Sequence, residues 1–130
     1  MRKLLGDQKG FTMIEMLIVI SIIGILSMVA VPRFTNSLYL ANTAKVQSDL
    51  QVLNTSIVMY QAQNGKYPSN LTTDMNDYIV DISKLKPPAG KCFLRDGSTL
   101  EISDTSYQLA ADGTQALCQG HTLTDFGRKN

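Results

Sequence analysis

At 130 residues the chain has room for one folded domain of ordinary size and not for two. Twelve Lys and Arg stand against eleven Asp and Glu, and nine of each follow Pro32, so no field of one sign is available to hold nucleic acid or an anionic surface. One histidine, His121, and two cysteines, Cys92 and Cys118, offer no recognisable catalytic or metal-ligating constellation, so neither an enzyme nor a cofactor or metal site is expected.

The first ten residues, MRKLLGDQKG, carry Arg2, Lys3 and Lys9 against Asp7. Phe11 to Val31 then reads FTMIEMLIVISIIGILSMVAV, 21 residues with a single charge. As a helix this stretch spans roughly 30 Å of hydrocarbon, enough to cross a bilayer. The basic excess ahead of it predicts a cytoplasmic N-terminus. A secretory signal has an apolar core of about 7 to 15 residues and no acid inside it, so cleavage after Ala30 is the weaker alternative. Glu15 needs an explanation, because an ionised carboxylate at the edge of the bilayer core costs on the order of a few kcal/mol unless it is paired. A cut between Gly10 and Phe11 would create an α-amine four residues before Glu15, within reach of such a pair.

Read together, Gly10, Phe11 and Glu15 in KGFTMIEMLIVISIIGIL resemble the processing and methylation motif of type IV prepilins, competence pilins and type II secretion pseudopilins. The resemblance implies that a prepilin peptidase cuts after Gly10 on the cytoplasmic side and that Phe11 becomes the N-methylated first residue. It implies that Glu15 meets the amine of a neighbouring subunit and sets the axial register of a filament. The plainer reading is a Glu15 that snorkels to the headgroups of an ordinary anchor. Gly24 and Pro32 also match family positions: glycine loosens a helix interior and proline removes a backbone donor, which allows a bend, and the resemblance implies that the stretch between them extends in a filament, with a helical stretch in the isolated chain as the alternative. Ser21, Gly24 and Ser27 recur at helical spacing and would let neighbouring helices approach, although small residues are common in membrane helices generally.

After Pro32 the pattern becomes periodic. Val46, Leu50, Leu53, Ile57 and Tyr60, with Tyr39 two turns earlier, form one apolar stripe that predicts a helix face packed on a sheet. Asn64-Gly65 and Tyr67-Pro68 supply the stop. From Phe11 to Asn64 that is 54 residues, roughly 80 Å if straight, and a filament core would be the second partner so long a helix needs. The following NGKYPSNL resembles the loop after the long helix in major pseudopilins and many pilins.

Leu71 to Lys86 carries Met75, Tyr78, Ile79, Ile82 and Leu85 at helix-like spacing, which predicts a short helix or two turns before Pro87-Pro88 ends it. The runs KCFL, TLEI, SYQLAA and TQALCQ, broken by Asp96-Gly97 and Asp112-Gly113, predict three or four antiparallel strands. If Cys92 and Cys118 pair, they close a loop of 27 residues worth roughly 3 to 4 kcal/mol. Two buried free thiols are the alternative, and an exported location favours the bridge. Asp74, Asp77 and Asp81 fall on one face of the expected helix, where a solvated face is the better reading than calcium. Lys84, Lys86, Lys91 and Arg95 cluster without interleaved aromatics, so nucleic acid is a possible partner that charge does not support.

The expected fold is α+β, a long N-terminal helix packed on a small antiparallel sheet. The expected organisation is a leader at 1–10, a transmembrane and filament-core segment at 11–32, the amphipathic half of the helix at 33–65 and a small globular domain at 66–130. The resemblance implies a structural subunit of a pilus, competence pilus or type II secretion pseudopilus. Its partners would be copies of itself, the prepilin peptidase, an inner-membrane assembly platform with minor pilins, and the membrane. It would be a single-pass membrane protein before assembly and an extracytoplasmic or cell-surface filament afterwards. From another class, the alternative is a membrane-anchored extracytoplasmic binding module that does not polymerise.

Overall fold

The structure, a computed structural model, describes residues 9–129, and they divide into two compact units at Thr35/Asn36. Helix α1, Met13–Asn64, contributes to both. It is followed by a single turn of helix, α2 (Leu71–Asp74), a 3₁₀ turn at Ile82–Lys84, and strands β1 (Gly90–Phe93), β2 (Thr99–Ile102), β3 (Gln108–Leu109) and β4 (Ala116–Leu117). The α+β arrangement and the end of α1 at Asn64 are as the sequence predicts. Gly65 provides the cap, with φ +69° and its N–H donating to the Gln61 carbonyl at 2.8 Å.

In the unit from Asn36 onward, the stripe Val46, Leu50, Leu53 and Ile57 is buried against Met75, Cys92, Ala116, Cys118 and Phe126, while Tyr60 packs at the edge of the same core. Tyr39 extends it by an edge-to-face contact with Phe93, ring centroids 5.7 Å apart. Polar residues beside the stripe hold strand and C-terminal backbone that has no other strand to meet. Thr43 Oγ1 accepts the Phe93 N–H at 2.8 Å, Asn54 Oδ1 accepts the Ala116 N–H at 2.8 Å, and Gln47 Nε2 donates to the Phe126 carbonyl at 2.9 Å. The helix thereby satisfies backbone groups that burial would otherwise leave costly.

The expected single sheet is two separate antiparallel pairs, β1 with β2 and β3 with β4. What lies between β2 and the segment after β4 is a side chain: Gln119 Oε1 accepts the Ser103 N–H at 2.9 Å and its Nε2 donates to the Glu101 carbonyl at 3.0 Å. One amide thus reproduces the donor and acceptor of a strand neighbour. Gln119 itself has φ +50° and precedes Gly120 at φ +79°, inside a two-residue turn closed by reciprocal Cys118 and His121 backbone bonds of 2.9 and 3.0 Å. Both hairpins fall where the Asp-Gly pairs place them, with Asp96 Oδ1 accepting the Ser98 N–H and Asp112 Oδ1 the Thr114 N–H.

Across Leu71 to Lys86, where a short helix or two turns are expected, there are two separate turns, α2 and the 3₁₀ turn, and no continuous helix. Asn70 caps α2, whose one turn ends at Asp74, and Asp74 Oδ2 accepts the Ser69 and Asn70 N–H groups at 2.9 and 3.0 Å. Those backbone bonds, that of Asn70 first, hold the Asp74 carboxyl below the usual range. Asp81 instead pairs with Lys84 at 3.0 Å, and Asp77 and Asp81 lie beyond the end of α2 rather than on one helix with Asp74.

Among the described residues one charged side chain is buried beside the apolar stripe. Asp49 is held by Lys45 Nζ at 2.7 Å and by the buried Tyr107 hydroxyl at 2.7 Å. Burial first, then the bond to Asp49, pushes the Tyr107 hydroxyl above its ordinary value. Tyr107→Phe removes a hydrogen bond to a charged acceptor while Lys45 remains. A loss of about 1.5 to 3 kcal/mol is expected in urea unfolding of the detergent-solubilised chain.

Candidate functional site

Lys9 to Thr12 lie outside the helix, and the Gly10–Phe11 bond is exposed on both sides, with Phe11 80% accessible. The helix starts at Met13 because Thr12 and Glu15 close a capping box. Thr12 Oγ1 accepts the Glu15 N–H at 3.2 Å, and the Glu15 carboxylate accepts the Thr12 N–H at 2.8 Å. This arrangement places Glu15 on the first turn, beside the backbone position one residue after Phe11. The reciprocal pair supplies two of the four N–H groups that a helix start leaves without partners.

From Met13 to Val31 every side chain is exposed, and the segment is long and apolar enough to cross a membrane. Its hydroxyls turn inward. Ser21 Oγ donates to the Leu17 carbonyl and Ser27 Oγ to the Ile23 carbonyl, both at 2.7 Å, and just beyond the segment Thr35 Oγ1 donates to the Val31 carbonyl at 3.2 Å. A hydroxyl satisfied within its own helix can face lipid at little cost. Beyond the helix's own backbone Gly24 has no atom within 4 Å of the position a Cβ would take, and Pro32 lies inside α1, so the backbone from Gly24 to Pro32 is helical here.

Of the leader expected at 1–10, residues 1–8, with Arg2 and Lys3, lie outside the described residues. Gly10, Phe11 and Glu15 are together at the helix start. Cys92 and Cys118 belong to the other unit, where both are fully buried free thiols and the expected bridge is not present. Burial pushes both thiols up, Cys118 to about 12. His121 sits half-exposed, its Nδ1 3.8 Å from Asp125 Oδ2. The capping box escaped the residue-level reading although its signal, Thr-x-x-Glu before an apolar run, stands in the sequence.

Residues 5–31 match the family model described as the prokaryotic N-terminal methylation motif. The chain is 31% identical over 111 residues to the type II secretion system core protein G of Klebsiella michiganensis, covering 82% of this chain and 76% of that protein. It is 32% identical over 97 residues to the competence protein ComGC of Halalkalibacterium halodurans, covering 75% of this chain and 94% of that one. Over 50 residues, 38% of this chain and 32% of the relative, it is 42% identical to the type IV major fimbrial protein FimA of Dichelobacter nodosus. No solved structure matches the chain. An exposed apolar helix opened by Thr12 and Glu15, a methylation motif over that same helix and relatives covered along most of their length agree: the chain belongs to the type IV pilin-like family.

Proposed function

We propose that this chain is a structural subunit of a type IV pilus-like filament, cut after Gly10, methylated on Phe11 and polymerised through α1. The observation that carries the reading is the apolar helix with its single acid at the exposed start, next to an accessible Gly10–Phe11 bond. The N-terminus stays cytoplasmic until a peptidase cuts the leader. The new Phe11 amine is then the positive group that Glu15 lacks within its own helix. An incoming subunit offers its Glu15 to the amine of a neighbour, and the pair forms in lipid, where few other polar partners exist. Removing apolar helix from lipid yields little by itself, so packing among helices and this charge pair favour the filament. Within it, Gly24 to Pro32 unwinds, since Pro32 provides no N–H to the carbonyl one turn back. Copies of the chain, the peptidase and a membrane assembly platform are the partners. In an oxidising extracytoplasmic compartment the thiols of Cys92 and Cys118 would pass two electrons and two protons to a dithiol oxidant of that compartment and join as a disulfide, which would restrict the unfolded chain.

Shearing cells that express the chain and imaging the released fraction with antibody-labelled electron microscopy tests the reading. Labelled fibres are expected. A chain found only as membrane-bound monomer, with its assembly partners present, would support an anchored binding module instead.

A further inference from the structure

The two ends of the unit from Asn36 onward differ in chemistry. At the end nearer Asn36, an open groove of about 380 Å³ is lined by Leu40, Thr43, Ala44 and Gln47 of α1 and by Arg95 and Arg128. Leu40 and Ala44 are exposed and give it an apolar floor. Arg95 is held in place before any ligand arrives. Its N–H donates to the Asp125 carbonyl at 2.8 Å and its Nε to the Phe126 carbonyl at 3.2 Å. Its side chain lies across Gly127, where an added Cβ would come within 3.1 Å of Arg95 Cγ and Nε. Asp96 and Asp125 line an adjoining cleft with Arg95, and their carboxylates already accept the Ser98 and Thr122 N–H groups at 2.7 and 2.8 Å. The groove therefore presents two guanidinium groups over an apolar surface, which suits a carboxylate beside an aliphatic side chain.

The far end presents that pair. The loop after α2 is anchored by buried Met75 and Ile79 and by the Tyr78 hydroxyl, which donates to Gln63 Oε1 at 2.8 Å and accepts from Asn64 Nδ2 at 3.2 Å. With Tyr78 and Ile79 turned to the helix, Asp77 and Val80 are left exposed, and Val80 is as accessible as in an extended chain. Asp81 is taken by Lys84, so Asp77 is the acid beside the Val80 knob. Along α1, Gln63 lies 19 residues from Ala44, roughly 28 Å at 1.5 Å per residue. A knob at one end and a matching groove at the other make a heterologous contact, which repeats as an open series rather than closing as a two-fold dimer.

We propose that Asp77 and Val80 of one copy dock in the Leu40, Ala44, Arg95 and Arg128 groove of the next. This rests on the reading of the chain as a filament subunit and names the contact made outside the helical core. The occupant is a second copy because the chain itself carries both complementary halves, in a domain whose charges otherwise balance.

The test uses the full chain in cells that assemble it. Ala44→Cys combined with Val80→Cys is treated with oxidised glutathione after the filaments are sheared off. A ladder of disulfide-linked oligomers is expected from the double variant and none from either single variant. Filaments that form but give no ladder overturn the docking and leave the subunit reading intact, whereas a wild-type chain that forms no filaments overturns both. If the double variant assembles poorly, charge exchange decides. Asp77→Arg alone, or Arg95→Asp with Arg128→Asp, should cut filament yield about tenfold or more, and the triple exchange should recover most of it. Unchanged yield from Asp77→Arg, as expected if the groove served a polyanion such as nucleic acid, or no recovery in the exchange, contradicts the proposal.

Discussion

Glu15→Ala should leave the chain in the membrane and reduce its incorporation into filaments at least about a hundredfold. The magnitude follows from the surroundings. Breaking one side of an ion pair shielded from water costs about 3 to 5 kcal/mol, and each 1.4 kcal/mol is a factor of ten in association. Insertion loses nothing, because removing a carboxylate from an otherwise apolar segment makes the segment easier to place in lipid. The capping box complicates the reading of that variant, since Glu15 also accepts the Thr12 N–H at 2.8 Å and alanine removes this bond too. Glu15→Gln separates the two roles. Glutamine serves at the same position of a capping box but carries no charge, so it should keep the helix start and still fail to assemble. Quantifying chain in the membrane and sheared fractions measures both effects. Normal assembly of Glu15→Gln would mean that the filament uses the cap and not the charge.

Phe126→Ala should be the most destabilising single truncation in the folded domain. Among the described residues Phe126 heads the fully buried side chains by volume. It also fastens the last residues of the chain, because its carbonyl accepts both Gln47 Nε2 and Arg95 Nε and its backbone bridges to Leu94. Emptying such a site costs about 3 to 5 kcal/mol, against about 5 to 15 kcal/mol of total stability for a typical domain. A fall in Tm on the order of 10 to 30 °C is expected by near-ultraviolet circular dichroism. A fall of only a few degrees would show that the neighbours collapse into the space.

Much of the fold is legible because its signals are local. The four-three spacing of Val46, Leu50, Leu53 and Ile57 names the buried face of α1, Asn64-Gly65 names its end, and the Asp-Gly pairs name both hairpins. The site is legible for the same reason: Gly10, Phe11 and Glu15 lie within six residues of one another. What the sequence hides is set by distant pairs. Nothing local marks Asp49 as buried, because its partner Tyr107 stands 58 residues away. Gln119 reads as the end of the strand-like run TQALCQ, yet its amide takes the place of a strand neighbour beside β2, where two short pairs stand instead of one sheet. The acids of the 71–86 loop read as a helical face because their spacing is helical. The Asn70 cap and the backbone bonds to Asp74 fix where α2 begins, and it runs for one turn only.

The mass of the chain taken from purified filaments tests the central claim most directly. The account predicts a subunit that lacks residues 1–10 and begins at a Phe11 carrying one added methyl group. A filament fraction without this chain, together with a membrane form that keeps its first ten residues, would contradict it.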